Sequence, residues 1–138
     1  MKKLTVLSYW ASRLIAALVL AQTLFFKFSG APESIYIFTT VGMEPWGRFG
    51  IGILEMIAAA LLLINRTVWL GSMLALGLMA GAIGMHLTKL GISVQEDGGY
   101  LFFLAVIVAI CSAFALFRNK AKAESIIRRL AVRLSAQH

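Results

Sequence analysis

Cysteine and charged residues are scarce in this 138-residue sequence, and each scarcity excludes a class of protein. The single cysteine, Cys111, excludes a disulfide framework, a CxxC pair and a cysteine-based metal site within one chain. Only 14% of the residues are charged, 60% are hydrophobic, and the mean hydropathy is +0.87. A soluble fold of this size could not bury so many apolar side chains. The sequence therefore predicts an integral membrane protein.

Four long apolar runs predict an all-α, four-helix transmembrane bundle. A membrane crossing needs about 20 apolar residues, and the runs are Thr5–Phe26, Gly47–Ile64, Val68–Leu90 and Gly98–Phe117. The first run contains Arg13 and is longer than the apolar core of a signal peptide, so we expect it to be retained. The apolar stretch within residues 28–46 predicts a short helix or lid at the membrane surface. No linker or low-complexity tract divides the bundle, which we assign to residues 1–118.

The basic residues predict that both chain termini lie in the cytoplasm, where membrane proteins concentrate Lys and Arg. With that orientation nine basic residues lie inside: Lys2, Lys3, Arg66, Arg118, Lys120, Lys122, Arg128, Arg129 and Arg133. Three lie outside: Lys27, Arg48 and Lys89. The net charge of +7 is therefore concentrated at the membrane edges, and we expect no nucleic-acid partner.

The C-terminal tail, residues 119–138, has the pattern of an amphipathic helix. Ala123, Ile127 and Leu130 recur at near-helical spacing, and basic residues such as Lys122 and Arg129 occupy the other side. Such a helix suits the anionic inner leaflet of a membrane. The alternative is a docking site for a soluble cytoplasmic partner.

Two charged residues lie well inside the apolar runs, where a charge must face protein or water. Glu55 is close to the middle of the second run, and Arg13 lies slightly on the cytoplasmic side of the middle of the first. We predict that they form an interhelical ion pair. The pair would either fix the register of the helices or organise a binding cavity.

Further polar residues near the outer ends of the runs predict a ligand pocket with Glu55 at its floor. The proposed rim consists of Lys27, Arg48, His86 and Lys89. The alternative for the three cations is that they extend to the membrane interface. His86 has no second histidine or carboxylate at metal-binding spacing, so we expect no metal site. Gly77, Gly81 and Gly84 share a face that would permit close packing within the chain or in a homo-oligomer.

Several short motifs together resemble the DoxX family, over roughly Tyr9 to Phe117. The motifs are Arg13, Lys27, Val41-Gly42-Met43-Glu44-Pro45, Gly52-Ile53-Leu54-Glu55, Leu61-Leu62-Leu63, Arg66-Thr67, Met79, Ala82 and His86. The chain departs from the family pattern in having Thr23-Leu24-Phe25-Phe26 where relatives tend to carry a glycine before the lysine. The resemblance implies a bacterial inner-membrane protein, redox-associated, with a quinone as the expected small molecule and a redox or soluble protein as partner.

The sequence is compatible with three functions. The first is a subunit that binds a quinone or lipid and is not an enzyme on its own, because the chain has no dithiol or other redox centre. The second is a small proton-coupled transporter that uses Glu55 as its protonatable group. The third is a structural or assembly subunit of a membrane complex.

Overall fold

The computed structural model describes residues 2–137, and over this range the regular structure consists of helices without a strand. The predicted bundle begins at Met1 and the predicted tail ends at His138, and these two residues lie outside the described range. The helices are α1 (Lys2–Ser29), α2 (Pro32–Thr40), α3 (Trp46–Leu63), α4 (Val68–Met85), α5 (Tyr100–Arg118) and α6 (Lys120–Ser135). A π-helical turn, His86–Leu90, continues α4.

Four of these helices are long and apolar enough to cross a membrane: α1, α3, α4 with its π-helical turn, and α5. Their positions confirm the four predicted runs, although α1 is longer at both ends than the prediction. Large apolar side chains such as Leu18, Phe25 and Ile110 project outward and are mostly exposed. An exposed surface of this kind is suited to lipid and not to water. The predicted all-α membrane bundle is therefore confirmed.

The bundle core is built largely from small side chains, which let the helices approach closely. Helix α1 packs against α3 and α5, and α4 packs against the same two helices, so α1 and α4 lie on a diagonal. Ala16, Ala58 and Ala75 are fully buried at the centre. Gly71 lies so close to α3 that a Cβ there would be 2.7 Å from the backbone nitrogen of Leu62. The α3–α4 pair is consequently closely packed near its connecting turn.

The connections divide the bundle into two ends. The terminal face carries the 64–67 turn and the junction between α5 and α6, and the loop face carries residues 30–45 and 91–99. On the loop face, Gly30 has a φ of 70° and ends α1, and Pro32 starts α2 in the first helical position, which suits its fixed φ. Helix α2 contacts α1, α3 and the π-helical turn. The predicted short helix within residues 28–46 is confirmed.

Helix α6 follows α5 at the terminal face and has the predicted amphipathic character. Asn119, between the two helices, donates a hydrogen bond of 2.7 Å from Nδ2 to the Tyr9 hydroxyl. Ala123 is buried against the bundle, whereas Leu130 and Leu134 are exposed. The apolar side of α6 is therefore only partly covered by the chain itself.

Candidate functional site: a cavity in the loop-face half

A cavity of about 530 Å³ lies in the half of the bundle nearest the loop face, beneath α2. All four membrane-spanning helices and α2 contribute to its walls, which are mainly apolar, with residues such as Leu20, Phe38 and Leu104. Its polar lining residues are Thr23, Lys27, Glu33, Ser34, Glu55, His86, Asp97 and Tyr100. An apolar cavity with a few polar groups is the usual form of a small-molecule site.

An ion pair between α1 and α3 forms one polar wall of the cavity. Lys27 Nζ lies 3.0 Å from Glu55 Oε2, and the two side chains are 14% and 4% exposed. Gly52, one turn before Glu55, allows this approach, because a Cβ there would be 3.1 Å from the Phe28 ring and 3.7 Å from Lys27 Cβ. The glycine lets the end of α1 lie against α3, within reach of Glu55.

Thr23 gives the carboxyl group of Glu55 a partner in either protonation state. The Thr23 hydroxyl lies 2.8 Å from the Leu20 carbonyl oxygen and 3.1 Å from Glu55 Oε2. A hydroxyl has one hydrogen, so it donates to one of these acceptors at a time. It can donate to the Glu55 carboxylate, or donate to Leu20 and accept a hydrogen bond from a protonated Glu55. Thr23 was not predicted as a site residue, because its only signal in the sequence is its position one turn before Lys27.

His86 is the first residue of the π-helical turn and points one ring nitrogen at a backbone carbonyl. Its Nδ1 lies 2.9 Å from the Ala82 carbonyl oxygen, and its ring centroid is 5.7 Å from that of Phe102. The residue is buried, and Nε2 has no hydrogen-bond partner among residues 2–137. Single π-helical turns within α-helices are frequent at functional sites. His86 therefore lines the cavity with a ring whose second nitrogen is buried and has no partner in the described part of the chain.

Asp97 organises the loop that closes the cavity between the π-helical turn and α5. Its carboxylate accepts hydrogen bonds from the backbone N–H groups of Val94, Gly99 and Leu101, at 2.9, 2.8 and 3.2 Å. Burial alone would raise the pKa of Asp97, but these three donors, together with the charge of His86, hold it below the ordinary value. The sequence signal for this role is an aspartate followed by Gly98 and Gly99 immediately before a helix.

The predicted ion pair between Arg13 and Glu55 is wrong. Arg13 Nε donates to the Leu62 carbonyl at 2.7 Å, and Nη1 donates to Asn65 Oδ1 at 3.0 Å. The guanidinium also lies over the Trp10 ring, 3.9 Å from its centroid. Leu62 is seven residues after Glu55 on α3, which corresponds to about 10 Å along the helix. Arg13 thus joins α1 to the end of α3 near the terminal face, away from the cavity.

Arg48 and Lys89 also lie outside the cavity lining. Arg48 is buried, where its Nε donates to both carboxylate oxygens of Glu44 at 2.9 and 3.0 Å and its Nη1 donates to the Lys27 carbonyl. It therefore ties the start of α3 to the end of α1 and does not extend to the interface. Lys89 is exposed on the π-helical turn. Of the six predicted site residues, the fold brings Lys27, Glu55 and His86 to the cavity.

The cavity reaches the exposed surface of α4. Its lining includes Ile51 of α3 and, on α4, the exposed residues Gly77, Gly81 and Met85. A Cβ added at either glycine would have no neighbour within 4 Å. These glycines do not mediate helix packing within the chain, unlike Gly71, and they leave a lateral opening on the lipid-facing surface.

No family model, curated protein or solved structure matches the chain. The assignment of a function therefore rests on the geometry of the cavity. Within residues 2–137, no three His, Cys, Asp or Glu side chains are grouped so that they could hold a metal ion.

Proposed function

We propose that this protein binds a lipophilic molecule with a polar end group, a quinone or a lipid, in the cavity of its loop-face half. The observation that carries the proposal is an apolar cavity of about 530 Å³ with the Lys27–Glu55 pair on one side and the buried His86 on another. The apolar walls suit the body of such a molecule, and the polar groups suit its head. The lateral opening beside Gly77 and Gly81 gives it a route from the bilayer.

In the same proposal, the protein is a DoxX-like, redox-associated subunit of a bacterial inner membrane. The lone Cys111 provides no dithiol, so a partner protein would supply or remove electrons. With the basic terminal face in the cytoplasm, the cavity opens toward the outer half of the membrane. The apolar side of α6, which the bundle covers only in part, would lie on the inner leaflet.

A second candidate function is proton-coupled transport, which the geometry of Thr23 favours. A coupling carboxyl must be stable both with and without its proton, and the Thr23 hydroxyl can accept from or donate to Glu55 accordingly. Lys27 opposes this function, because its ammonium already pairs with Glu55 Oε2 at 3.0 Å, where a transported substrate or proton would have to bind. We therefore rank binding above transport.

Native mass spectrometry of the protein in mild detergent, followed by extraction of the bound small molecule, tests the proposal. We expect a stoichiometric lipophilic molecule on the wild-type protein and its loss from Glu55→Gln and His86→Ala. The matched controls are Glu124→Gln and Lys89→Gln, which change exposed charges outside the cavity lining and should retain the molecule. A protein that carries only bulk phospholipid would contradict specific binding. Proton-dependent uptake in vesicles, abolished by Glu55→Gln, would favour the transport alternative.

A further inference from the structure

The cavity lining is acidic in a chain that is basic overall. The chain has 13 Lys and Arg residues against 6 Asp and Glu residues, a net charge of +7. Three of the acids, Glu33, Glu55 and Asp97, line the cavity, whereas Lys27 is the one Lys or Arg of the described residues in the lining. The formal charge of the lining is therefore −2 with a neutral His86 and −1 with a protonated one. Its sign is negative in either case.

Two of the three carboxylates have an oxygen available to a ligand. Glu55 makes its polar contacts through Oε2. Its Oε1 has no partner among residues 2–137 and, unlike Nε2 of His86, keeps some accessible surface. Glu33, in the first turn of α2, is exposed and has no ion-pair or hydrogen-bond partner in the described part of the chain. Asp97, by contrast, uses both oxygens to accept from backbone N–H groups.

Aromatic side chains also line the cavity, namely Phe26, Phe38 and Tyr100. The faces of aromatic rings attract cations and are the usual partners of quaternary ammonium groups. Charges on apolar walls act over a longer range than charges in water, so the lining attracts cations and repels anions. An anion would find one cationic side chain of fixed charge, Lys27, which already pairs with Glu55.

We infer that the cavity selects lipophilic molecules whose polar end is a cation, such as an ammonium group. The inference rests on the proposed binding function and, within it, favours a lipid-like amine over a quinone, which is uncharged. Glu33 is the carboxylate that such a head group can approach without breaking a contact within the described chain. The apolar body would then occupy the cavity beneath α2.

Three matched probes test this selection. Trimethyl(4-octylphenyl)ammonium is the cation, 1-tert-butyl-4-octylbenzene is its neutral counterpart of the same shape, and 4-octylbenzenesulfonate is the anion. Binding is measured by isothermal titration calorimetry in non-ionic micelles, with protein-free micelles as the blank for each probe. We expect the cation to bind about tenfold more tightly than the neutral probe, the scale of one partly exposed ion pair with one aromatic contact. The anion should bind most weakly, whereas attraction to the net charge of +7 would favour it.

Glu33→Gln removes one charge of the lining without removing a contact within residues 2–137. It should lower the preference for the cation by about threefold, as expected for a partly exposed pair. The matched control is Glu96→Gln, which removes the same charge from an exposed residue of the loop face outside the lining and should keep the wild-type preference. Added salt should reduce the preference in the wild-type protein, because Glu33 is exposed.

The outcomes separate this inference from the proposed function. If the cation and the neutral probe bind the wild-type protein equally, or the anion binds most tightly, cation selection is wrong and binding of lipophilic molecules stands. The same holds if a quinone is the stoichiometric ligand of the purified protein. A preference that Glu96→Gln lowers as much as Glu33→Gln would belong to the surface of the loop face and overturn the role of the cavity lining. If no probe binds, both the inference and the proposed function fail. The order of the wild-type affinities decides the first point, even if a variant does not fold.

Discussion

Replacing Glu55 with a neutral residue should destabilise the protein, because Lys27, and not Arg13, loses its ion-pair partner. In Glu55→Gln the Lys27 ammonium, whose side chain is 14% exposed, loses the carboxylate 3.0 Å away. Breaking a buried ion pair by removing one partner costs about 3–5 kcal/mol. Lys27 lies in the last turn of α1, where its side chain can turn toward the loop face. We therefore expect the free energy of unfolding to fall by about 3 kcal/mol, the lower end of this range.

A double-mutant cycle measures the coupling directly. We expect Lys27→Met combined with Glu55→Gln to cost at least 1 kcal/mol less than the sum of the single changes, roughly the scale expected for contacting groups. The free energy of unfolding would be followed by circular dichroism as denaturing detergent is added to mixed micelles. Unfolding should remain a single transition for this comparison to be valid.

The matched control cycle pairs Arg13→Gln with Glu55→Gln. Arg13 contacts Leu62 and Asn65 instead of Glu55, so the two changes should be additive within about 0.5 kcal/mol. Coupling between positions 13 and 55, together with additivity between positions 27 and 55, would refute the assignment of the ion pair and restore the pairing predicted from the sequence.

Three other predictions concern the lateral opening, the terminal face and the loop over the cavity. Gly81→Trp should slow the binding of a lipophilic probe in stopped-flow measurements with little loss of stability, whereas Gly71→Ala should lower stability, since only the second position is in close contact with another helix. Asn119→Ala removes the hydrogen bond to the Tyr9 hydroxyl and should increase amide hydrogen exchange at the start of α6, with α1 unchanged. Asp97, whose folded pKa is lowered, should stabilise the fold fully above its ordinary value of 3.8 and progressively less as the pH falls toward the folded pKa; thermal unfolding of Asp97→Asn should lack this dependence.

Prediction from the sequence was accurate wherever the periodicity of apolar residues sufficed. Glu55 was predicted to face protein or water within its apolar run, and it is buried on α3 together with Gly52 and Leu62. His86 was likewise predicted at the rim of the pocket, and it is buried in the cavity lining. In a helix the direction of a side chain follows from its position in the 3.6-residue repeat, so composition and spacing determine it.

Contacts between helices were predicted less well, because they depend on how far one helix is displaced along another. Helix α1 extends over 28 residues, beyond the apolar run at both ends. Arg13 therefore lies beside Leu62, and Lys27 is the cation that reaches Glu55. Thr23 and Asp97 were missed for a related reason, since their roles arise from neighbours on other helices or in the folded loop.

The sequence by itself determined that this protein is surrounded by lipid. It also determined the four membrane-spanning helices, the amphipathic tail and the inward faces of the helices. Each of these follows from local patterns of apolar and charged residues, whose burial is favoured or opposed regardless of the partner. The tertiary structure alone decided which cation pairs with Glu55, which residues line the cavity and which nitrogen of His86 contacts the Ala82 carbonyl. Those features depend on the relative displacement and separation of the helices, which exist only in the folded chain. They are set by close packing at Gly52 and Gly71 and by open space at Gly77 and Gly81.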